Sequence, residues 1–316
     1  HQKLLYYNFM KIFKFLPLLI CFSLPANADN IENILDKQIN KGLNSLGEVV
    51  TNLIPGEGDT EITFSNQENY DLLYSILAVR PIAVNPYPEL SNDHLYFTQL
   101  RVANHEPYAN GDQRFLINAG LGFRTLVNDN NAILGVNVFY DHELEQEHQR
   151  FSIGLEYLAS NFQLYYNKYD RISEKKSYVW TSSTITEEVL DGYDFSIVGQ
   201  LPYLPWATVV YKGYSWNKTG THLDGDNFAL EANIVSGLML EYGRNEPDNQ
   251  GDEDFYRITF SWPRNNLLTP TLVNDTVSKH AFPLKNMQHE MLHKVRRTNN
   301  IITQKTTGGV VVARGT

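Results

Sequence analysis

Between Arg114 and Thr125 the chain alternates with a period of two: Phe115, Ile117, Ala119, Leu121 and Phe123 interleave with Arg114, Asn118, Gly120, Gly122 and Arg124. Successive side chains of a strand point to opposite faces, so this stretch has one apolar face and one small or charged face. In a soluble sandwich the second face would meet bulk water. Arginines and glycines recurring on it suit a crowded, wet interior better. Ala132 to Tyr140 repeats the design, with Leu134, Val136 and Val138 opposite Gly135 and Asn137. Arg150 to Tyr157 repeats it again, with Phe151, Ile153 and Leu155 opposite Ser152, Gly154 and Glu156. The pattern predicts an all-β fold, a transmembrane barrel. Its lipid-facing residues include Phe115, Ile117, Leu121, Phe123, Leu134, Val136, Val138, Phe151, Ile153 and Leu155. Its lumen-facing residues include Arg114, Asn118, Gly120, Gly122, Arg124, Asn137, Arg150 and Glu156.

Extending the reading gives candidate strands at 60–66, 70–81, 94–103, 113–126, 132–142, 150–159, 162–171, 189–201, 206–216, 226–234, 236–245 and 253–262. Most match the roughly 9 to 11 residues that cross a bilayer at a tilt, whereas soluble strands average nearer five or six. The connections alternate in length, as they do in outer-membrane barrels with tight periplasmic turns and long outer loops. Asn128 to Asn131, Ala159 to Asn161, Pro202 to Pro205 and Val235-Ser236 are short. Longer polar stretches lie at His105 to Gly111, Glu143 to His148, Ile172 to Glu188, Asn217 to Asp226 and Asn245 to Glu253; Ile82 to Asp93 breaks the alternation. An even number of strands returns the chain after Trp262 to the side from which it entered.

Ahead of the strands, Lys11 and Lys14 precede the apolar run Phe15 to Leu24 and the small-x-small triplet Ala26-Asn27-Ala28, the pattern of an export signal. That run is shorter than the about 20 residues of a helical span, and no later segment approaches that length. Residues 1–28 are therefore read as upstream sequence and signal, with the mature chain starting near Asp29. Cys21, the single cysteine, falls inside the signal, so no disulfide is expected. Ile31, Leu35, Ile39, Leu43, Leu46, Val50 and Leu53 carry helical spacing, so 29–58 reads as a periplasmic amphipathic helix closed by Pro55-Gly56. Residues 59–263 form the barrel and 264–316 a linker and tail. The 42% apolar content is unremarkable because alternating strands dilute hydropathy, while 19 tyrosines and 16 phenylalanines suit interfacial girdles. A net charge of -10 without a basic stripe in the strands argues against a nucleic-acid partner.

The ordered motifs resemble the β-barrel translocator domain of the intimin and invasin adhesins, the inverse autotransporters. They are Phe97-Thr98-Gln99-Leu100, Asn118 to Arg124, Leu134 to Asp141, Gly154 to Tyr157, Asp191-Gly192-Tyr193-Asp194, Leu201 to Pro205, and Met291-Leu292 with Val295, Arg297, Asn299, Asn300 and Ile301. The resemblance implies a twelve-stranded outer-membrane barrel, periplasmic at its N-terminus, whose C-terminal linker threads the pore to display a passenger. This chain stops at Thr316, so no passenger is expected within it, and only about 30 mature residues precede the first strand, too few for the family's peptidoglycan-binding module. Expected partners are outer-membrane lipid and lipopolysaccharide, and the barrel-assembly machinery with periplasmic chaperones. A host-surface ligand stays unknown.

Several motifs point to other chemistries. His289-Glu290-Met291-Leu292-His293 matches H-E-x-x-H, which on a helix would put two imidazoles on one face for zinc. No Asp, Glu, His or Cys follows His293 to complete a catalytic set, and the stretch overlaps the linker motif, so a metal site is rejected. Asp141, His142, Glu143, Glu147 and His148 gather acid and base groups but read as a solvated loop, because adjacency in sequence is not a catalytic geometry. Asp248, Asp252, Glu253 and Asp254 miss the spacing of a calcium loop and read as an acidic face toward lipopolysaccharide. Arg114, Arg124 and Arg150 either set pore selectivity or, the preferred reading, pair with lumenal carboxylates such as Glu156. After Asp275 the charge turns basic, with Lys279, Lys285, Lys294, Arg296, Arg297, Lys305 and Arg314 against Glu290 alone, which suits either a threaded segment or a disordered tail. The expectation is thus a non-enzymatic anchor and translocator without a cofactor. A stand-alone channel or surface-loop binding barrel is the alternative, and an outer-membrane hydrolase a third.

Overall fold

The computed structural model describes residues 58–67, 72–82, 93–105, 114–180, 183–248, 250–263, 269–307 and 310–313, with Ile54 and Gly56. The signal, the amphipathic helix and most of Ile82 to Asp93 lie outside the described residues. Twelve antiparallel strands close a barrel: β1 (Thr60–Gln67), β2 (Leu73–Pro81), β3 (His94–His105), β4 (Arg114–Val127), β5 (Ala132–Glu143), β6 (Gln149–Ala159), β7 (Phe162–Arg171), β10 (Gly192–Leu201), β11 (Leu204–Lys218), β12 (Thr221–Val235), β13 (Leu238–Pro247) and β14 (Glu253–Trp262). The closing seam pairs β1 with β14 from Thr60↔Trp262 to Gln67↔Phe255. Closure leaves no strand edge in the wall, the condition for sheet to sit in lipid.

Two strands project from the wall as a hairpin between β7 and β10: β8 (Lys176–Trp180) and β9 (Ser183–Val189). Near the C-terminus, β15 (Thr303–Thr307) and β16 (Val310–Ala313) extend that hairpin into a four-stranded sheet, ordered β16-β15-β9-β8. The stretch 172–188 is therefore not the open polar loop its composition suggests. Nor is 217–226, where β11 and β12 run on until only Thr219-Gly220 separates them. Both misreadings have one cause. Beyond the membrane a ribbon meets water on both faces and needs no apolar alternation, while its backbone hydrogen bonds still favour sheet.

At the short-turn rim, Asn128, Asp129 and Asn130 adopt φ of 53°, 53° and 64°. Asparagine and aspartate tolerate this left-handed region better than other residues with a Cβ, which suits them to the β4–β5 turn. Tyr203 takes φ 64° between β10 and β11 with both its backbone groups engaged, its N–H donating to the Ala281 carbonyl at 3.0 Å and its carbonyl accepting from Ser278 N–H at 2.8 Å.

The faces divide by parity. Leu121, Val136, Ile153 and Leu155 stand 47–56% exposed on the outside, and Leu134, Val138 and Phe151 are exposed too. Phe115, Ile117 and Phe123 are half-buried, Phe123 lying against Tyr96 at 5.0 Å between centroids. Arg114, Asn118, Arg124, Asn137, Arg150 and Glu156 are buried inside. So is Phe139, an apolar ring on the polar parity of β5. A Cβ at Gly120 would lie 2.3 Å from the Phe139 ring, and one at Gly122 2.2 Å from Phe97. These glycines leave notches in the wall into which the two rings lie flat. Arginine guanidiniums cover the rings, Arg124 4.5 Å from the Phe97 centroid and Arg297 4.4 Å from Phe139, in cation–π contact.

Candidate functional site

The site is the barrel interior together with the segment 269–302. After β14 this segment runs across the short-turn rim. Leu272 N–H donates to Asn233 O at 2.8 Å, Ser278 N–H to Tyr203 O, and Met287 N–H to Asn130 O at 2.8 Å. A 3₁₀ turn, Met287–Glu290, follows, and the Asn286 side chain caps it by accepting from Gln288 N–H at 2.9 Å. Met287 and Met291 bury against Leu126, Ile133, Leu158 and Tyr165 from the wall.

From Met291 to Ile302 the backbone and side chains bond to inward-facing residues in ascending order along the strands. Arg124 is held by Glu156, with Nε to Oε1 at 2.7 Å, and donates through Nη1 to the Met291 carbonyl at 2.8 Å. Lys294 pairs with Glu61 of β1 at 2.7 Å. Val295 N–H donates to Gln99 at 2.8 Å, and its side chain packs with Leu77, Val79, Phe97 and Phe139. Arg296 forms a bidentate pair with Glu231 of β12, both contacts 2.7 Å. Arg297 does the same with Asp141 at 2.8 and 2.7 Å and also donates to Ser152 at 2.9 Å. Thr298 places its N–H on Tyr169 at 2.8 Å and its hydroxyl on Asp194 at 2.6 Å. Arg150 donates to Asp141 and to the Thr298 carbonyl, each at 2.8 Å, and Asn118 to the Asn299 carbonyl at 2.9 Å. Ile301 buries against Leu116 and Val189, and Ile302 against Tyr169, Tyr214 and Trp216. Leu190 N–H then donates to Ile302 O at 2.9 Å, and the chain enters β15 beside β9 at the opposite rim.

Forked guanidinium–carboxylate pairs fix both position and orientation, and Arg296 and Arg297 each meet a counter-charge largely away from water. Where the chain leaves the barrel, Glu187 of β9 gathers Arg114, His148 at 3.0 Å, Tyr178 at 3.1 Å and Lys305 at 3.6 Å. Burial works to raise its carboxyl, but the His148 hydrogen bond and the Arg114 and Lys305 charges outweigh it and hold it down to about 2.

Several sequence expectations change here. Asp141, Glu143 and His148 are buried rather than solvated: Glu143 accepts from Arg114 at 3.1 Å and Asp141 lies between Arg150 and Arg297. The reason is parity, since the inward face of β5 and β6 continues to the strand ends. His142 is half-buried, and Glu147 is exposed near Lys176 at 3.6 Å. Glu253 is buried on β14, and Asp254 pairs with Arg244 at 2.7 Å, so neither joins an open acidic loop with Asp248 and Asp252. His289 and His293 are not on one helical face, because the helix is a single 3₁₀ turn. Glu290 is engaged by Lys285 at 2.9 Å. Among the described residues no group of three or more His, Cys, Asp or Glu could hold a metal ion. Glu61, Glu231 and Asp194 carry the counter-charges and hydrogen bonds for the segment, and sequence reasoning gave none of them a role. A carboxylate on the inward parity of an otherwise membrane-length strand was the available signal.

A family model described as the inverse autotransporter β-domain matches residues 26–299. The chain is 25% identical over 258 residues to the inverse autotransporter adhesin YeeJ of Escherichia coli K12, an alignment covering 78% of this chain and 10% of that protein. It is 26% identical over 213 residues to intimin of Escherichia coli O127:H6, covering 61% of this chain and 21% of intimin. The chain thus spans between about a tenth and about a fifth of the length of these relatives. A membrane protein solved in work on in-meso crystallization superposes with a TM-score of 0.64 at 20% identity, over 79% of this chain and 99% of that one, a likeness of fold.

Proposed function

The chain belongs to the inverse autotransporter β-domain family, and on that premise we propose that this outer-membrane anchor and translocator carries its own C-terminal segment through the lumen to the cell surface. One observation carries the reading: residues 287–302 bond in sequence order to inward-facing groups from the short-turn rim to the loop rim, and then add a strand to the β8–β9 hairpin. The short-turn rim faces the periplasm, the signal within residues 1–28 directs export, and whatever follows Thr316 stands outside the cell. The role is mechanical and needs no catalytic group. Its partners are lipid and lipopolysaccharide around the wall and the assembly machinery during insertion. Display of an adhesive segment, in keeping with the name of the inverse autotransporter adhesin YeeJ, is the use this geometry serves.

An epitope tag after Thr316 tests the reading. Antibody binding on intact cells is the expected result, and a tag reached only after the outer membrane is opened refutes it.

A further inference from the structure

The segment does not fill the lumen evenly. Its contacts with Arg124, Asp141, Arg150, Ser152 and Asp194 hold it against the side built from β4–β7 and β10. Along the opposite side, β1–β3 and β11–β14, a cavity of about 240 Å³ remains, walled by polar groups such as Thr63, Ser65, Asn104, Lys212 and Asn227. A second cavity of about 280 Å³ lies toward the short-turn rim, reaching Asp59, Ser261 and Lys285. Four residues line both: Glu61, Glu231, Lys294 and Arg296. They are the Lys294–Glu61 and Arg296–Glu231 pairs. The partition between the two chambers is therefore two ion pairs, each joining a cation of the segment to a carboxylate of the wall.

The upper chamber carries an excess of positive charge. Arg257 is paired with Glu241 at 2.7 Å, whereas Arg101 bonds to Asn118 at 3.1 Å and Lys212 to the Thr298 hydroxyl at 3.1 Å. Among the described residues neither Arg101 nor Lys212 has a carboxylate within 4.0 Å. Fixed cations in a narrow polar passage lower the barrier to anions and raise it to cations.

We propose that the occupied barrel keeps a second route, a side passage for small inorganic anions along the β1–β3/β11–β14 wall, gated by the Lys294–Glu61 and Arg296–Glu231 pairs. Opening needs only these side chains to part, with a chamber on each side to receive them. The segment stays seated through its contacts on the far wall. This inference rests on the segment occupying the lumen, as proposed above, and its test separates the two.

Purified full chain is placed in planar bilayers under a potassium chloride gradient, folding being checked by heat-modifiable mobility on gels. Glu61→Gln with Glu231→Gln removes both wall carboxylates and leaves two more free cations, so conductance rises several-fold over the parent and the reversal potential moves toward that of chloride. Lys294→Gln with Arg296→Gln also raises conductance but with weaker chloride preference, and it stands in if the first pair fails to fold. Adding Ser65→Trp to the first pair returns conductance to the parent level. Unchanged conductance in either folded double variant, or a reversal potential moving toward potassium in Glu61→Gln with Glu231→Gln, overturns the gate. A surface-accessible tag with silent variants sinks the passage alone, and an inaccessible tag on the parent sinks the threading itself.

Discussion

Asp141 is the residue whose loss reports most directly on how the lumenal segment is held. Its carboxylate takes two contacts from Arg297, at 2.8 and 2.7 Å, two from Arg150, at 2.9 and 2.8 Å, and one from Asn118 at 2.7 Å, with the acid and both arginine side chains fully buried. The two ways of breaking the cluster are unequal. Arg297→Ala leaves Asp141 neutralised by Arg150 and hydrogen-bonded by Asn118, so the cost is the lost bonds and the orphaned acceptor capacity, about 1–3 kcal/mol. Asp141→Ala leaves two buried guanidiniums without their shared anion, and an uncompensated buried charge costs about 3–5 kcal/mol. Hydrogen–deuterium exchange of the amides from Val295 to Ile302, in detergent with the barrel folded, reads opening of the segment. About 1.4 kcal/mol corresponds to tenfold faster exchange, so with central costs differing by about 2 kcal/mol Asp141→Ala should exceed Arg297→Ala by roughly thirtyfold. The double variant should exchange more slowly than Asp141→Ala, because removing the second guanidinium relieves part of the like-charge repulsion. If Asp141→Ala exchanges no faster than Arg297→Ala, the shared-anion account is refuted.

Other outcomes follow from the same geometry. Gly120→Val should collide with Phe139 and cost about 1–3 kcal/mol of overpacking, seen as loss of the folded, heat-modifiable band; Phe139→Ala in the same chain should restore it, and failure of that rescue would place the fault in the backbone. Leu121→Arg puts a charge on the 56%-exposed outer face and should cost about 2–4 kcal/mol at the midplane, measured by chemical unfolding in lipid vesicles; a neutral result would mean this face does not meet acyl chains. Because the Glu187 carboxyl is held at about 2, below its ordinary 4.5, its contribution to the β9–β15 junction is present above pH 4.5 and lost as pH falls toward 2. Hydrogen–deuterium exchange of the Thr303–Thr307 amides, corrected for its intrinsic pH dependence, should therefore become faster as pH falls over that range. Glu187→Gln should flatten the dependence without abolishing it, since Glu188, partly buried yet held low by Lys175 and Gln304, titrates in the same direction; an unaltered profile would exclude Glu187 as the titrating group.

The amino-acid sequence by itself determined the barrel. Strand length, parity and turn residues are local properties written within about fourteen consecutive positions, so the twelve wall strands and their two faces were legible without a partner in view. Pairing of the lumenal arginines with carboxylates such as Glu156 was also legible from inward parity, and Arg124 on β4 makes that pair across β5. Sequence did not decide what fills the lumen. Arg296 and Glu231 are 65 positions apart, Arg297 and Asp141 156, and Lys294 and Glu61 233. Such contacts follow from closure of the barrel, which brings distant inward positions to one axis, and no local period records them. The basic stretch after Asp275 accordingly read equally well as a threaded strip or a loose tail, and the acidic and imidazole groups at 141–148 read as a loop. Only the tertiary structure, by enclosing them where an unpaired charge is costly, assigned Lys294, Arg296, Arg297, Asp141, Glu143 and His148 specific charged partners. It also turned Phe139, an apparent break in the alternation of β5, into the ring that fills the notch at Gly120 and carries Arg297.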